Sequence, residues 1–212
     1  RDIRDVTAVI ISHDHRDHVG CAGIYHRKFS LPVYVTRRTF RAADARYTLG
    51  PIADVRTFEA GETLRFDGAT VQTVPTPHDG VDGVAFVVRA GGRRLGILTD
   101  LGHVFMGLRR LVGSLDGVLL ESNHDVRMLR DGAYPAWLKR RVRGAGGHLS
   151  NDEAAELLAS GATGRLQWAC LGHLSEENNS PRVALATHRR AVGQYLPLSV
   201  AGRYEPGELL TL

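Results

Sequence analysis

Cysteine and long apolar runs are scarce in this sequence. Its 212 residues include two cysteines, Cys21 and Cys170, which are too few for a disulfide scaffold. Two small buried thiols in a reducing compartment account for them, so we expect a cytoplasmic protein. No stretch reaches the ~18 apolar residues that a membrane-spanning helix needs. Residues 1–5 also lack the apolar segment of a signal peptide. We therefore expect no membrane segment.

Lysine is scarce as well, since only two of the 27 basic residues are lysines. Arginine is suited to bidentate contacts with phosphate, and the net charge is +4. These features permit a nucleic-acid substrate without establishing one. A composition of 43% hydrophobic and 24% charged residues is that of a globular protein, which excludes a disordered chain.

Short apolar runs and amphipathic stretches alternate along the chain. The strands are predicted at residues 6–11, 31–35, 117–121, 166–171 and within 200–212, with hairpins over 63–74 and 84–99. The helices are predicted at residues 17–29, 39–47, 151–159 and 181–195. Ser150 and Glu153 form a capping box at the third helix. This order predicts one α/β domain over residues 1–212.

The most informative segment is residues 12–18, SHDHRDH, directly after the first predicted strand. Three imidazoles and a carboxylate in an H-x-H-x-D-H pattern could not all be satisfied in an apolar core. In a loop they can converge on a cation. His13 and His15 share one face of an extended segment. Asp17 and His18 follow after the chain turns and can face a second point, so the pattern predicts metal binding.

This pattern resembles the metallo-β-lactamase superfamily, and three further residues match the family in chain order, each after a predicted strand: His78, Asp100 and His173. The resemblance implies an αββα sandwich that holds two divalent metal ions. The implied ligands are His13, His15 and His78 for one metal and Asp17, His18 and His173 for the other, with Asp100 bridging them. Imidazole and carboxylate donors suit zinc or manganese, and iron is a further option. Two such ions can share an attacking hydroxide.

An aspartate rather than a cysteine at position 100 argues against a true β-lactamase. Residues 120–125, 146–151 and 172–179 resemble the YycJ/WalJ branch, whose members are described as metal-dependent exonucleases that act on DNA ends. The resemblance therefore implies a phosphodiesterase, specifically a DNA exonuclease. The alternatives are a small-molecule or RNA hydrolase of the same fold, and a non-catalytic metal-binding scaffold. A degenerate scaffold would be expected to lose ligand residues, and all seven are present here.

Several residues outside the ligand set are candidates for catalysis or substrate binding. His148 matches an extra histidine of phosphodiesterase members, and its place beside a helix N-terminus suits it to contact a phosphate or to act as a general acid. The alternative for His148 is a capping or surface role. With Asp17 it makes up the predicted catalytic pair. The predicted substrate contacts are Asn123, His124, Ser150 and Arg143, against structural hydrogen bonding as the alternative. Arg143 belongs to a basic run at 140–143 that could contact backbone phosphates. Nearby Trp137 is expected in the core, with stacking on a base as the alternative.

The superfamily fold normally begins with strands ahead of the H-x-H-x-D-H segment. Here twelve residues precede His13, and they already contain the strand that carries it. We therefore expect the N-terminal strands to be missing from this chain. The oligomeric state stays open.

Overall fold

A computed structural model describes residues 2–212. Over these residues, two sheets pack face to face and helices cover the outer side of each. The smaller sheet is parallel, in the order β1-β2-β3. Its strands are β1 (Val9–Ile10), β2 (Val33–Thr36) and β3 (Val55–Phe58). The arrangement is the predicted αββα sandwich.

The larger sheet runs in the order β10-β9-β8-β7-β6-β5-β4. Its strands are β4 (Thr63–Phe66), β5 (Ala69–Pro75), β6 (Val84–Ala90), β7 (Arg93–Leu98), β8 (Gly117–Glu121), β9 (Trp168–Gly172) and β10 (Leu198–Val200). Strands β4 to β7 pair antiparallel, whereas β7 to β10 pair parallel. The change falls at β7, and parallel strands bring their carboxyl ends to one edge.

The helices lie outside the two sheets. They are α1 (Arg16–Val19), α2 (Ala22–Phe29), α3 (Arg37–Arg46), α4 (Leu108–Val112), α5 (Val126–Asp131), α6 (Ala136–Arg143), α7 (Asn151–Gly161) and α8 (Pro181–Val192), after a 3₁₀ turn at Ile3–Asp5. Within residues 2–212, none of them is long and apolar enough to cross a bilayer.

Three apolar clusters hold the layers together. Between the sheets, Phe58 of β3 lies in one cluster with Leu64 and Val71 of the β4–β5 hairpin. A larger cluster joins the outer face of the seven-stranded sheet to α4, α7 and α8, and includes Leu120 and Leu158. A third joins the smaller sheet to the N-terminal helices. Burial of these side chains, at ~25 cal/mol per Å² of apolar surface, supplies the main driving force for the fold.

The two predicted hairpins are confirmed. Strands β4 and β5 turn at Gly68, which has φ of 73°. Strands β6 and β7 turn at Gly91 and Gly92, both with positive φ as a type I′ turn requires. The capping box of Ser150 and Glu153 is also present at α7.

Other predicted elements need correction. The helix expected at 17–29 is two helices, α1 and α2, and the strand expected at 6–11 is reduced to β1. The terminal strand is β10, and residues 201–212 carry no regular secondary structure. Strand β3 and helices α4, α5 and α6 were not predicted, because they are short and their apolar periodicity is weak. Trp137 is 61% exposed on α6 and does not belong to the core.

One edge of the sandwich collects the polar loops. The loops that follow β1, β5, β7, β8 and β9 open at the same end of the two sheets. In open α/β sheets, ligands bind outside the carboxyl ends of the strands. The site is therefore expected at this edge.

Candidate metal centre

All seven predicted ligands meet at this edge. Two groups of three offer donor atoms within 4.8 Å of one another: His13, His15 and His78, and Asp17, His18 and His173. Asp100 belongs to two further groups, one with His13 and His18 and one with Glu121, His148 and His173. The two halves of the H-x-H-x-D-H segment thus face two different points, as its change from extended chain to helix predicts.

The first trio has the spacing of ligands around one cation. The Nε2 atom of His13 lies 3.0 Å from Nδ1 of His15, which lies 3.2 Å from Nε2 of His78. Two nitrogens bound tetrahedrally at ~2.0 Å from zinc are ~3.3 Å apart. Gly80 packs against this trio, and a Cβ atom there would lie 2.7 Å from the His13 ring. The donor chemistry and the spacing fit a divalent metal ion.

The second trio is more open. Oδ2 of Asp17 lies 3.4 Å from Nε2 of His18 and 3.8 Å from Nε2 of His173. The side chain of Asp17 is 68% exposed, whereas the two imidazoles are mostly covered. Contacts from His173 and then His18 hold the pKa of Asp17 well below its usual range, so this carboxylate is ionised. An ionised oxygen beside two imidazoles is a suitable donor set for a second cation.

Asp100 lies between the two trios. Its Oδ1 is 3.6 Å from Nε2 of His78, and its Oδ2 is 3.4 Å from Nε2 of His18. Within residues 2–212, the buried Oδ2 atom has no hydrogen-bond partner. Asp100 and His173 are also non-glycine residues with positive φ, 57° and 55°. Strain of this kind is concentrated at functional sites, and an unpartnered buried carboxylate oxygen fits a bridging cation ligand.

The outer nitrogens of the ligand imidazoles have their own partners. The Ser12 hydroxyl lies 3.0 Å from Nδ1 of His13 and 3.1 Å from Nδ1 of His18, so one side chain contacts both trios. Nδ1 of His78 donates to the carbonyl oxygen of Gly147 at 2.9 Å. Such contacts fix the orientation of each ring. They leave Nε2 of His13, His18 and His78 for a metal, whereas His15 faces the first trio with Nδ1.

The imidazoles of the first trio are in the protonation state that a cation requires. Burial, reinforced by the neighbouring imidazoles, lowers the pKa of His13 to about 2. Burial also lowers the pKa of His15, with His78 adding to the effect. Both rings are therefore neutral at physiological pH, which is the form that binds a metal.

Glu121, for which the sequence suggested no role, organises the other side of the site. It is fully buried at the end of β8, and its Oε1 accepts from Nδ1 of His148 at 2.8 Å and from Nδ1 of His173 at 2.9 Å. Oε2 accepts from the backbone N–H of Leu149 and Leu101. Burial alone would raise the pKa of Glu121, but the two histidine contacts outweigh it and lower that pKa. The signal was present in the sequence: a carboxylate ends an otherwise apolar strand.

The pKa of His173 reflects the carboxylates that surround it. Burial favours its neutral form, but the contacts with Asp17 and Glu121 outweigh burial and raise its pKa to about 10. Three carboxylates, those of Asp17, Asp100 and Glu121, lie within 3.8 Å of its ring nitrogens. This excess of negative charge suits a site that holds cations.

The predicted substrate contacts lie in different places. Asn123 lines the cavity above the metal ligands and donates from Nδ2 to the carbonyl oxygen of His173 at 2.9 Å. Ser150 is buried as the cap of α7, and His124 is buried beside it. Arg143 is exposed at the end of α6. The structure thus brings Asn123 to the site and leaves His124, Ser150 and Arg143 outside the set of residues that line it, so substrate contact by these three stays a prediction that their placement does not favour.

A buried amide network, also missed from the sequence, fixes the loops that carry these residues. Asn179 donates from Nδ2 to the carbonyl oxygens of Ser122 and Asn123 at 2.8 and 3.0 Å. Asn151 donates to Asn179 at 3.0 Å and accepts from the Ser122 hydroxyl at 2.6 Å. Because fully satisfied buried networks are rigid, the loop after β8 and the starts of α7 and α8 form one framework.

Four of the predicted ligands line an open cavity of about 980 Å³: His15, Asp17, Asp100 and His173. His148 lines it as well. Arg141 of α6 lines it, and Arg203 and Tyr204 from the C-terminal segment line it as well. The cavity is wide enough for a ligand considerably larger than a metal ion.

Comparison with known proteins identifies the class. A family model described as a β-lactamase superfamily domain matches residues 1–167, and the chain belongs to this family. It is a metal-dependent hydrolase with the metallo-β-lactamase fold. The Zn²⁺-bound protein PqqB from Methylobacterium extorquens has the same fold, with a TM-score of 0.72 at 19% identity over all of this chain and 74% of that one.

Two relatives are closer in sequence. Exodeoxyribonuclease YycJ from Bacillus anthracis is 32% identical over 92% of this chain and 72% of the relative. Exodeoxyribonuclease WalJ from Streptococcus pneumoniae serotype 2 (strain D39) is 33% identical over 88% of this chain and 70% of the relative. The expected resemblance to the YycJ/WalJ branch is confirmed.

Proposed function

We propose that this protein is a dinuclear-metal phosphodiesterase that acts as an exonuclease on DNA. The observation that carries the proposal is the pair of donor trios joined by Asp100, with His148 beside them but outside both. The similarity to two exodeoxyribonucleases supports DNA as the substrate.

The donor sets give each ligand a place. His13, His15 and His78 would hold one ion and Asp17, His18 and His173 the other, with Asp100 shared. When bound, two divalent cations would activate the water nucleophile and neutralise charge on the attacked phosphate. Zinc or manganese fits these donors, and iron is the alternative. Elemental analysis of protein purified without chelator should find two such ions per chain.

His148 is the candidate general acid. Its Nδ1 donates to Glu121, which orients the ring and leaves Nε2 available on the cavity side. From there it would donate a hydrogen bond to a phosphoryl oxygen or protonate the departing oxygen. Asp17, exposed in the second trio, would serve catalysis as a ligand of the second ion, because its lowered pKa makes it a weak proton acceptor.

The test is a cleavage panel with metal-loaded protein. The substrates are single- and double-stranded DNA and RNA labelled at either end, and a small chromogenic phosphodiester, each with Mn²⁺ or Zn²⁺. Stepwise shortening of DNA from one end is expected. Asp100→Ala purified in the same way controls for contaminating nucleases.

Other outcomes would contradict the proposal in different ways. Cleavage confined to RNA, or to the small phosphodiester, would identify a different hydrolase on this scaffold. No cleavage of any substrate by protein with full metal content would favour a non-catalytic metal-binding scaffold.

A further inference from the structure

Helix α6 stands over the cavity without belonging to the core. None of its eight residues is buried, and four of them are basic: Lys139, Arg140, Arg141 and Arg143. Leu138, Arg141 and Val142 nevertheless line the cavity that holds the metal ligands. A basic helix beside a catalytic cavity, rather than in the core, is suited to bind an anion.

Arg141 is fixed at the rim of the first trio. Its Nε donates to Oδ2 of Asp79 at 2.6 Å and its Nη2 donates to Oδ1 at 3.1 Å. Nη2 also lies 3.5 Å from Nε2 of His15. A bidentate pair of this kind sets the plane of the guanidinium group. Arg141 is therefore already oriented before any substrate arrives.

The pairing leaves the guanidinium group with donors to spare. A guanidinium group has five N–H donors, and Asp79 takes one from Nε and one from Nη2. Nη2 also contacts Nε2 of His15, so the two donors of Nη1 are the ones available to a phosphate oxygen. A fixed cation next to ligands for two metal ions is unfavourable unless anions surround it. Asp79 is one such anion, and a substrate phosphate would be another.

Trp137 lies one helical turn before Arg141. Residues four apart share a face of a helix, ~5.4 Å apart along its axis. The Trp137 side chain is 61% exposed, which is unusual for an indole that has no ligand to cover it. Exposed aromatic side chains next to arginines are how proteins bind unpaired bases and the adjoining backbone.

We propose that α6 binds a single strand of nucleic acid on its way into the active site. Arg141 binds a backbone phosphate next to the one that is cleaved, and Trp137 stacks on an unpaired base one turn away. The inference rests on the proposed function and adds to it the form of the substrate. A duplex has no unpaired base to offer Trp137, so single-stranded ends are the preferred ligand.

The test measures binding rather than turnover. Metal-loaded protein is titrated into a fluorescent single-stranded oligonucleotide with cleavage-resistant phosphorothioate linkages, and anisotropy is followed at several salt concentrations. Arg141→Gln should weaken binding about tenfold or more. It should also reduce the slope of log K against log salt by about 0.7, the value for one phosphate contact on a single strand. Metal content should stay at the wild-type level.

Two further variants sharpen the result. Trp137→Ala should weaken binding about fivefold to hundredfold without changing the salt slope, because it removes stacking and no charge. Arg65→Gln is the matched control. It is exposed on β4 opposite Thr70, at the end of the hairpin away from His78, and should bind like the wild type.

Three results would overturn the inference. The first is that Arg141→Gln binds with the wild-type affinity and slope. The second is that it loses metal while binding DNA normally, which would show that Arg141 only positions Asp79 and His15. The third is that duplex DNA binds more tightly than the single strand and Trp137→Ala has no effect. If the wild-type protein cleaves DNA, any of these results contradicts the role proposed for α6 and leaves the proposed function intact. Absence of cleavage contradicts the proposed function instead.

Discussion

The two ends of β8 each carry a buried carboxylate, and their partners differ. Asp116 lies directly before the strand, away from the metal ligands. Its Oδ2 accepts from the backbone N–H of Arg94 at 2.8 Å and from Nη2 of Arg165 at 2.9 Å. Arginine is always charged, so this end of the strand is a fixed ion pair whose effect is on stability.

Glu121 ends the same strand at the site. Its side-chain partners are His148 and His173, which each keep a second nitrogen for another contact. A carboxylate held by imidazoles therefore orients reactive groups, whereas one held by arginines joins loops. The hydrogen-bond partners of a buried carboxylate, more than its burial, therefore decide whether it serves a functional site or only the structural framework.

The largest effect expected at the carboxyl end of the strands is that of Asp100→Ala. Asp100 lies between both trios, so its loss should lower the content of both metal ions and abolish phosphodiester cleavage. Elemental analysis and the cleavage panel measure the two effects on the same preparation. Retention of full metal content would show that Asp100 is not the bridge.

His148→Ala tests whether His148 is a catalytic residue or a metal ligand. His148 contacts Glu121 outside both trios, so the variant should keep its metal while turnover falls by about 10²–10⁴-fold. His15→Ala is the comparison, because loss of a ligand should reduce metal content and activity together. If His148→Ala loses metal in the same way, His148 is a ligand and the place of His173 in the second trio must be revised.

Glu121→Gln tests whether the charge at the site end of β8 matters. The amide is nearly the same size but gives His148 and His173 a weaker acceptor. Residues that orient metal ligands typically contribute about 10–100-fold to metal affinity or activity, and a loss of that size is expected. Activity equal to the wild type, measured at saturating metal, would reduce Glu121 to a scaffold role like that of Asp116.

The fold, and the clustering of the candidate metal ligands, could be predicted largely from the sequence. The H-x-H-x-D-H segment is contiguous, so its chemistry is visible without knowledge of the fold, and the resemblance located His78, Asp100 and His173. The structure brings all seven together. The hairpins were predictable because their turn residues, such as Gly68, carry the signal themselves.

The rest depends on which loops meet. Nothing local to Glu121 says that His148 and His173 will converge on it, since both lie in later loops. Helix α6 has too few apolar residues to show a periodic stripe, so Trp137 was assigned to the core, and nothing in the basic run at 140–143 showed that Arg141 rather than Arg143 would line the cavity. Partners far apart in sequence are set by the pairing of strands, which the sequence pattern does not specify.

Asp116→Asn tests the other end of β8 and should have the smallest effect. Burial acts to raise the pKa of Asp116, but the hydrogen bonds from Arg165 and Arg94 outweigh it, so that pKa lies below its ordinary value. Because Arg165 is half exposed, solvent weakens the pair, and we expect a loss of about 1 kcal/mol in the free energy of unfolding at pH 7.

The contribution of a carboxyl with a lowered pKa is complete above the pKa of the unfolded chain, ~3.9, and is lost as pH falls through the folded pKa. Urea unfolding of the wild type and Asp116→Asn should therefore differ at pH 7 and converge in acid, while Asp44→Asn, an exposed control on α3, shows no difference. Cleavage activity should be unchanged, and a large loss of activity would mean that the two ends of β8 are not functionally distinct.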